Sequence, residues 1–91
     1  MRESRIEQHL VTRIRRIGGE CFKFVSPGRV GVPDRLVVLP GGEVIWVELK
    51  MLHGVVAGPQ LRMHKRLREL MQDVQILRST EAIDKYFPIE Q

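Results

Sequence analysis

Apolar positions in this chain switch between helical and strand spacing, and the switches mark out seven elements. From about Arg2 to Ile17, Ile6, Leu10, Val11, Ile14 and Ile17 fall on one helical arc, with Arg2, Arg5, Thr12, Arg13 and Arg16 opposite. Gly18-Gly19 supplies the stop. Glu3 and Glu7 land inside the apolar arc, where a carboxylate is costly without a partner. Glu3 is in the first turn and can reach solvent. Glu7 is a full turn in and needs a positive neighbour or a place at the rim of the core.

Cys21 to Val25 reads as a first strand, followed by a loop from Ser26 to Pro33 that holds two glycines and two prolines. Asp34 to Leu39 and Glu43 to Leu49 are strands joined by the tight turn Pro40-Gly41-Gly42, a hairpin pattern. A second loop runs from Lys50 to Gly58. Pro59 suits the first turn of a helix reaching about Gln72, with Gln60, Met63, His64, Leu67, Leu70 and Met71 on one face and Arg62, Lys65, Arg66 and Glu69 on the other. Val74 to Leu77 is a short strand, and Ser79 caps a last helix that reaches about Phe87. The order αβββαβα, without repeat or linker, predicts one mixed α/β (α+β) domain over residues 1–91.

Composition narrows the class. A chain of 91 residues with 43% hydrophobic and 29% charged content is an ordinary globular chain with a thin core, for which association with a second copy is a reasonable expectation. One cysteine precludes an intrachain disulfide, and Cys21 in a strand reads as a small buried side chain. No apolar run approaches a membrane span and no apolar signal region follows the charged N-terminus, so the expected location is the cytoplasm. The net charge of +4 favours a polyanionic partner, more so if some carboxylates are committed to a cation.

The candidate chemistry lies on the hairpin. Asp34 begins one strand and Glu48 nears the end of the next, so antiparallel pairing makes them neighbours. Two carboxylates so placed repel, and make sense with a cation between them. Lys50 shares the face of Glu48, while Leu49 points to the core with its carbonyl free to turn toward the cation. Mg²⁺ takes oxygen ligands and keeps several waters, so two carboxylates, a carbonyl and a substrate phosphate suffice. Such an ion activates water toward a phosphodiester, and Lys50 is suited to orient the nucleophile and offset transition-state charge. Glu7 is placed to complete the shell or to serve a second ion.

The run Lys23-Phe24-Val25-Ser26-Pro27-Gly28-Arg29-Val30-Gly31-Val32-Pro33-Asp34-Arg35, then Glu48-Leu49-Lys50, then Gln60, resembles the VRR-NUC domain, a branch of the PD-(D/E)XK, restriction-endonuclease-like nucleases. The resemblance spans nearly the whole chain and is closest to the standalone members of phages and bacteria. It implies a small mixed sheet flanked by helices, dependence on Mg²⁺ or Mn²⁺, and hydrolysis of DNA phosphodiesters in a bacterial or phage-infected host cell. It also implies a homodimer cutting branched DNA such as Holliday junctions. On this resemblance Glu7, with Glu3 as alternative, matches the helix glutamate, Asp34, Glu48 and Lys50 match the core motif, and Gln60 matches the glutamine opening the next helix. Glu7, Asp34, Glu48 and the Leu49 carbonyl are then the expected metal ligands. Ala57 departs from the family pattern, which often has a Ser or Thr helix cap there.

Lys23, Ser26, Arg29, Arg35 and His53 are the candidate DNA contacts, with Arg29 and Arg35 flanking the site. Blander readings remain open: Asp34 as a turn residue, Glu48 and Lys50 as a solvated strand face, Gln60 as a polar helix start, the arginines as solvated surface. His9, His53 and His64 lack metal-ligand spacing, and Ser26 has no triad partners. Aromatics at 5% argue against single-strand binding by base stacking. The competing functions are a flap- or end-directed nuclease of the same fold, a DNA-binding protein without catalysis, and a basic protein for RNA packing.

Overall fold

The computed structural model describes residues 3–89. It contains α1 (Glu3–Ile17), β1 (Glu20–Lys23), β2 (Arg35–Val38), β3 (Val44–Leu49), α2 (Gly58–Glu69), β4 (Asp73–Leu77) and α3 (Thr80–Tyr86), the expected order. The strands form one sheet in the order β1-β2-β3-β4. The first two pairings are antiparallel and β3–β4 is parallel, with α2 as the crossover that a parallel pair requires.

Alternation along β3 sends Ile45, Val47 and Leu49 to one face, where they pack with Ile6, Leu10 and Ile14 of α1 and Ile83 of α3. The other face carries Trp46 and Glu48 and meets α2, whose His64 is fully buried. Helices thus cover both faces, which lets a charged residue in β3 be enclosed rather than solvated. Among the described residues no helix is long and apolar enough to cross a membrane.

Several boundaries differ from expectation, each for a local reason. β1 stops at Lys23, opposite Arg35; Phe24 then gives its N–H to the Asp34 carbonyl at 2.8 Å and stacks edge-on against Trp46 at 5.1 Å. α2 starts at Gly58 and ends at Glu69 because Met71 takes a left-handed backbone conformation (φ 65°). Leu70 and Met71, expected on the packed face, are consequently exposed at 52% and 90%. The proposed start at Arg2 lies outside the described residues.

α1 and α3 are clamped at their solvent edge. His9 Nε2 lies 2.7 Å from Asp84 Oδ1, and Arg13 reaches the same carboxylate at 3.3 Å and the Phe87 carbonyl at 2.8 Å. The hydrogen bond from His9, aided by the charges of His9 and Arg13, holds the Asp84 carboxyl below its ordinary value of 3.8 despite partial desolvation. A depressed folded pKa adds stability that is fully present above the unfolded value and is lost as pH falls through the folded one. Thermal unfolding followed from about pH 6 down to about pH 2.5 should therefore show a shallower acid loss in Asp84→Asn than in the wild type, the two converging only at the acid end.

Candidate active site

The site is built where β2 begins and β3 ends. Arg35 pairs with Val47, so one further step along the ladder sets Asp34 opposite Glu48 although 13 residues separate them in the chain. Asp34 sits just outside β2, where Pro33 has ended the loop, and half of its side chain is open. Its Oδ1 is nonetheless buried with no hydrogen-bond partner. Glu48 is 6% exposed, enclosed between β3 and α2. Burying a carboxylate costs several kcal/mol unless it is held by donors or cations, so the surroundings of this one are informative.

Gln60 supplies one of those donors. Its Nε2 donates to Glu48 Oε2 at 3.3 Å, while its Oε1 accepts the Ala57 N–H at 3.0 Å. Ala57 has no side-chain acceptor to cap α2, so the reciprocal half of a capping box stands alone. That cap also settles which way the amide faces: with oxygen on the helix start, the NH₂ group is left for Glu48. The missing Ser or Thr at 57 is thus compatible with a formed helix end. Gly31, in the loop before Asp34, presses on the same end. A Cβ there would lie 2.3 Å from the Pro59 carbonyl oxygen, and its φ of 90° also favours glycine. The loop carrying Asp34 and the helix carrying Gln60 are therefore set against each other by backbone contact.

Lys50 is half-buried beyond the end of β3, its N–H donating to the Leu77 carbonyl at 3.2 Å. Burial holds the His64 imidazole below its ordinary value, and the Arg68 and Lys50 charges push the same way. Leu49 points to the opposite, apolar core and is 1% exposed, as expected. Beyond Lys50 the loop is pinned by Arg78, whose Nη1 donates to the carbonyls of Met51 at 3.0 Å and Gly54 at 2.6 Å.

One expectation needs correction. Arg35 does not face a DNA phosphate: alternation turns it inward with Val37, leaving it 4% exposed and paired with Glu7 at 2.7 Å. Glu7 accordingly has its positive neighbour, and Arg35 stands between it and Asp34, whose Oδ2 is 4.0 Å from the guanidinium. Among the described residues no group of three or more His, Cys, Asp or Glu is gathered as a metal site. The side chain of the alternative, Glu3, lies outside those described. Lys23, Arg29 and His53 are exposed and Ser26 half-buried, all on the loops at this end of the sheet or next to them. Burial pushes the Cys21 thiol up, in keeping with an inert packed side chain.

The Asp34–Glu48 pair fits a divalent cation on two counts: both offer hard oxygen donors, and Asp34 Oδ1 is an orphaned buried acceptor. His64 and Arg78 were not singled out from the sequence as functional. The available signal for His64 was its position four residues after Gln60, a polar side chain on the packed face beside Met63 and Leu67. For Arg78 there was none, because its partners are carbonyls of a distant loop.

No family model matches the chain. Over 81 residues it is 52% identical to "Putative nuclease p44" of Acyrthosiphon pisum secondary endosymbiont phage 1, covering 89% of this chain and 87% of that protein. A solved structure described as a VRR_NUC domain superposes with a TM-score of 0.86 at 34% identity, over 91% of this chain and 90% of that one. The chain belongs to the VRR-NUC family. Its VRR-NUC architecture is the restriction-endonuclease-like one, a small mixed sheet between helices.

In this VRR-NUC domain the packing of Gly31 on α2 makes a direct prediction. Gly31→Ala should lose about 2 kcal/mol or more, combining backbone strain with displacement of the Pro59 carbonyl. Gly28 also has positive φ (80°) but nothing within 4 Å of a built Cβ, so Gly28→Ala should cost only about 1 kcal/mol of strain. Urea unfolding of both variants checks the difference.

Proposed function

We propose that this VRR-NUC nuclease is a Mg²⁺- or Mn²⁺-dependent DNA endonuclease that cuts branched DNA, such as a Holliday junction, as a homodimer in the cytoplasm of a bacterium or phage-infected host. The observation that carries the reading is Glu48: a buried carboxylate at the end of a central strand, held by Gln60, with Asp34 across the ladder and Lys50 two residues on. A structural core has no use for that arrangement, whereas hydrolysis of a phosphodiester does.

In this reading Asp34 and Glu48 would hold the ion, with the Leu49 carbonyl as a third protein donor. An ion held there would supply Lewis-acid polarisation of the phosphate and lower the pKa of a water. Gln60 holds one oxygen of the Glu48 carboxylate. Lys50 orients the attacking water and offsets charge on the phosphate oxygens as the bond breaks. Glu7 joins only by exchanging Arg35 for a cation. Lys23, Ser26, Arg29 and His53 contact the DNA backbone, which favours recognition of shape over sequence. Val25, Val30, Leu52 and Val55 are exposed at 73%, 75%, 65% and 82% on the two loops beside the site, apolar area that a second copy would cover.

The test is cleavage of a labelled four-way junction beside flap, single-stranded and linear duplex controls. Symmetric, metal-dependent junction cuts are expected, with Lys50→Ala slower by roughly 10²-fold or more. Preferred cutting of flaps or ends would replace the junction reading with the related one, and metal-independent binding without any cleavage would overturn catalysis.

Affinity for the junction should fall steeply between about 50 and 200 mM salt, since phosphate contacts dominate. Arg29→Ala should flatten the slope of log affinity against log salt by about one phosphate contact, measured by fluorescence anisotropy, while Arg35→Met should leave that slope unchanged.

A further inference from the structure

Gln60 and His64 lie four residues apart on α2 and so address the same patch of sheet. They meet the two oxygens of one carboxylate. Gln60 Nε2 is 3.3 Å from Glu48 Oε2, and His64 Nε2 is 4.0 Å from Glu48 Oε1. The second distance is about 1 Å longer than a hydrogen bond, and a small rotation of the carboxylate would close it.

His64 is otherwise hard to account for. It is 0% exposed, and neither Nδ1 nor Nε2 has a hydrogen-bond partner. A buried donor or acceptor left in that condition is destabilising, and most buried polar groups avoid it. Its neighbours on the packed face of α2 are Met63 and Leu67, and a leucine or methionine of similar volume would fill the position without that penalty. An unpaired buried polar group next to a functional carboxylate is what a device completed on ligand binding looks like.

We propose that His64 is a positioning residue for Glu48, its Nε2–H closing onto Oε1 when a divalent cation engages the carboxylate, so that Gln60 and His64 hold both oxygens from behind. The inference rests on the reading of Glu48 as a cation ligand. A carboxylate offers about four lone-pair sites, so two donors from α2 still leave acceptor capacity for the ion and its waters. Outer partners that orient metal ligands in this way commonly change metal affinity by tenfold or more when removed.

Isothermal titration of the metal-free protein with Mn²⁺ tests this without reference to activity. The wild type is compared with His64→Leu, His64→Gln and Asp34→Asn, the last identifying which binding heat belongs to this site. His64→Leu should weaken that binding roughly tenfold while leaving metal-free thermal stability unchanged or raised, and His64→Gln should recover part of the loss by restoring a donor. A purely structural role would lower stability in His64→Leu with cation affinity intact, and would overturn the proposal while leaving the metal reading in place. Absence of any Asp34-dependent binding in the wild type would overturn the metal reading itself, and this inference with it. Should His64→Leu fail to fold, imidazole ¹⁵N shifts of the wild type decide: Nε2 should move to a hydrogen-bonded position on addition of Mg²⁺, and an unmoved signal would sink the idea.

Discussion

The enclosure of Glu48 between β3 and α2 is the constraint on which the rest of this structure turns. A carboxylate at 6% exposure on a central strand requires compensation from its surroundings. Gln60 compensates one oxygen, and the need to place Gln60 there fixes where α2 must start. The start of α2 is in turn set by the Gln60–Ala57 cap and by backbone contact with Gly31. A demand made by one side chain thus propagates to a helix end and to a loop, and that loop is the one delivering Asp34.

The two faces of the sheet divide the labour. The face toward α1 and α3 is apolar and carries the cohesion of the domain, with Leu10, Ile14, Val37 and Val47 fully buried. The face toward α2 mixes Trp46 and Val74 with the buried polar groups of Glu48 and His64, and is the less apolar of the two. Arg35 sits at the join. It belongs to the cohesive face by alternation, and its buried guanidinium is compensated by the half-exposed Glu7 carboxylate at the edge of α1. The stability of a small domain and the arrangement of its charged edge are not separable here, because the same strands serve both.

Membership of the VRR-NUC family agrees with this division. The shared architecture with the VRR_NUC structure covers 91% of the chain, so most of the sheet and its flanking helices lie within the common fold. Within that fold the alanine at the α2 cap leaves Gln60 both to close the helix end and to hold Glu48.

The element order and the hairpin could be read from sequence because alternation and turn residues are local signals, and the neighbourhood of Asp34 and Glu48 followed from antiparallel geometry alone. The partner Glu7 required was also foreseeable, since a carboxylate inside an apolar arc has to find a cation. Which cation was not. Arg35 lies 28 positions away, and only the tertiary packing of α1 on β2 shows that it turns inward rather than toward DNA. The burial of His64 and the Arg78 clamp on the Lys50 loop belong to the same class, being contacts between segments whose separation in sequence carries no periodic trace. Sequence determined the elements, the family and the residue types available for chemistry, because these depend on local pattern. Tertiary structure decided which charges pair with each other and which polar side chains are enclosed, because that depends on distances no local pattern encodes.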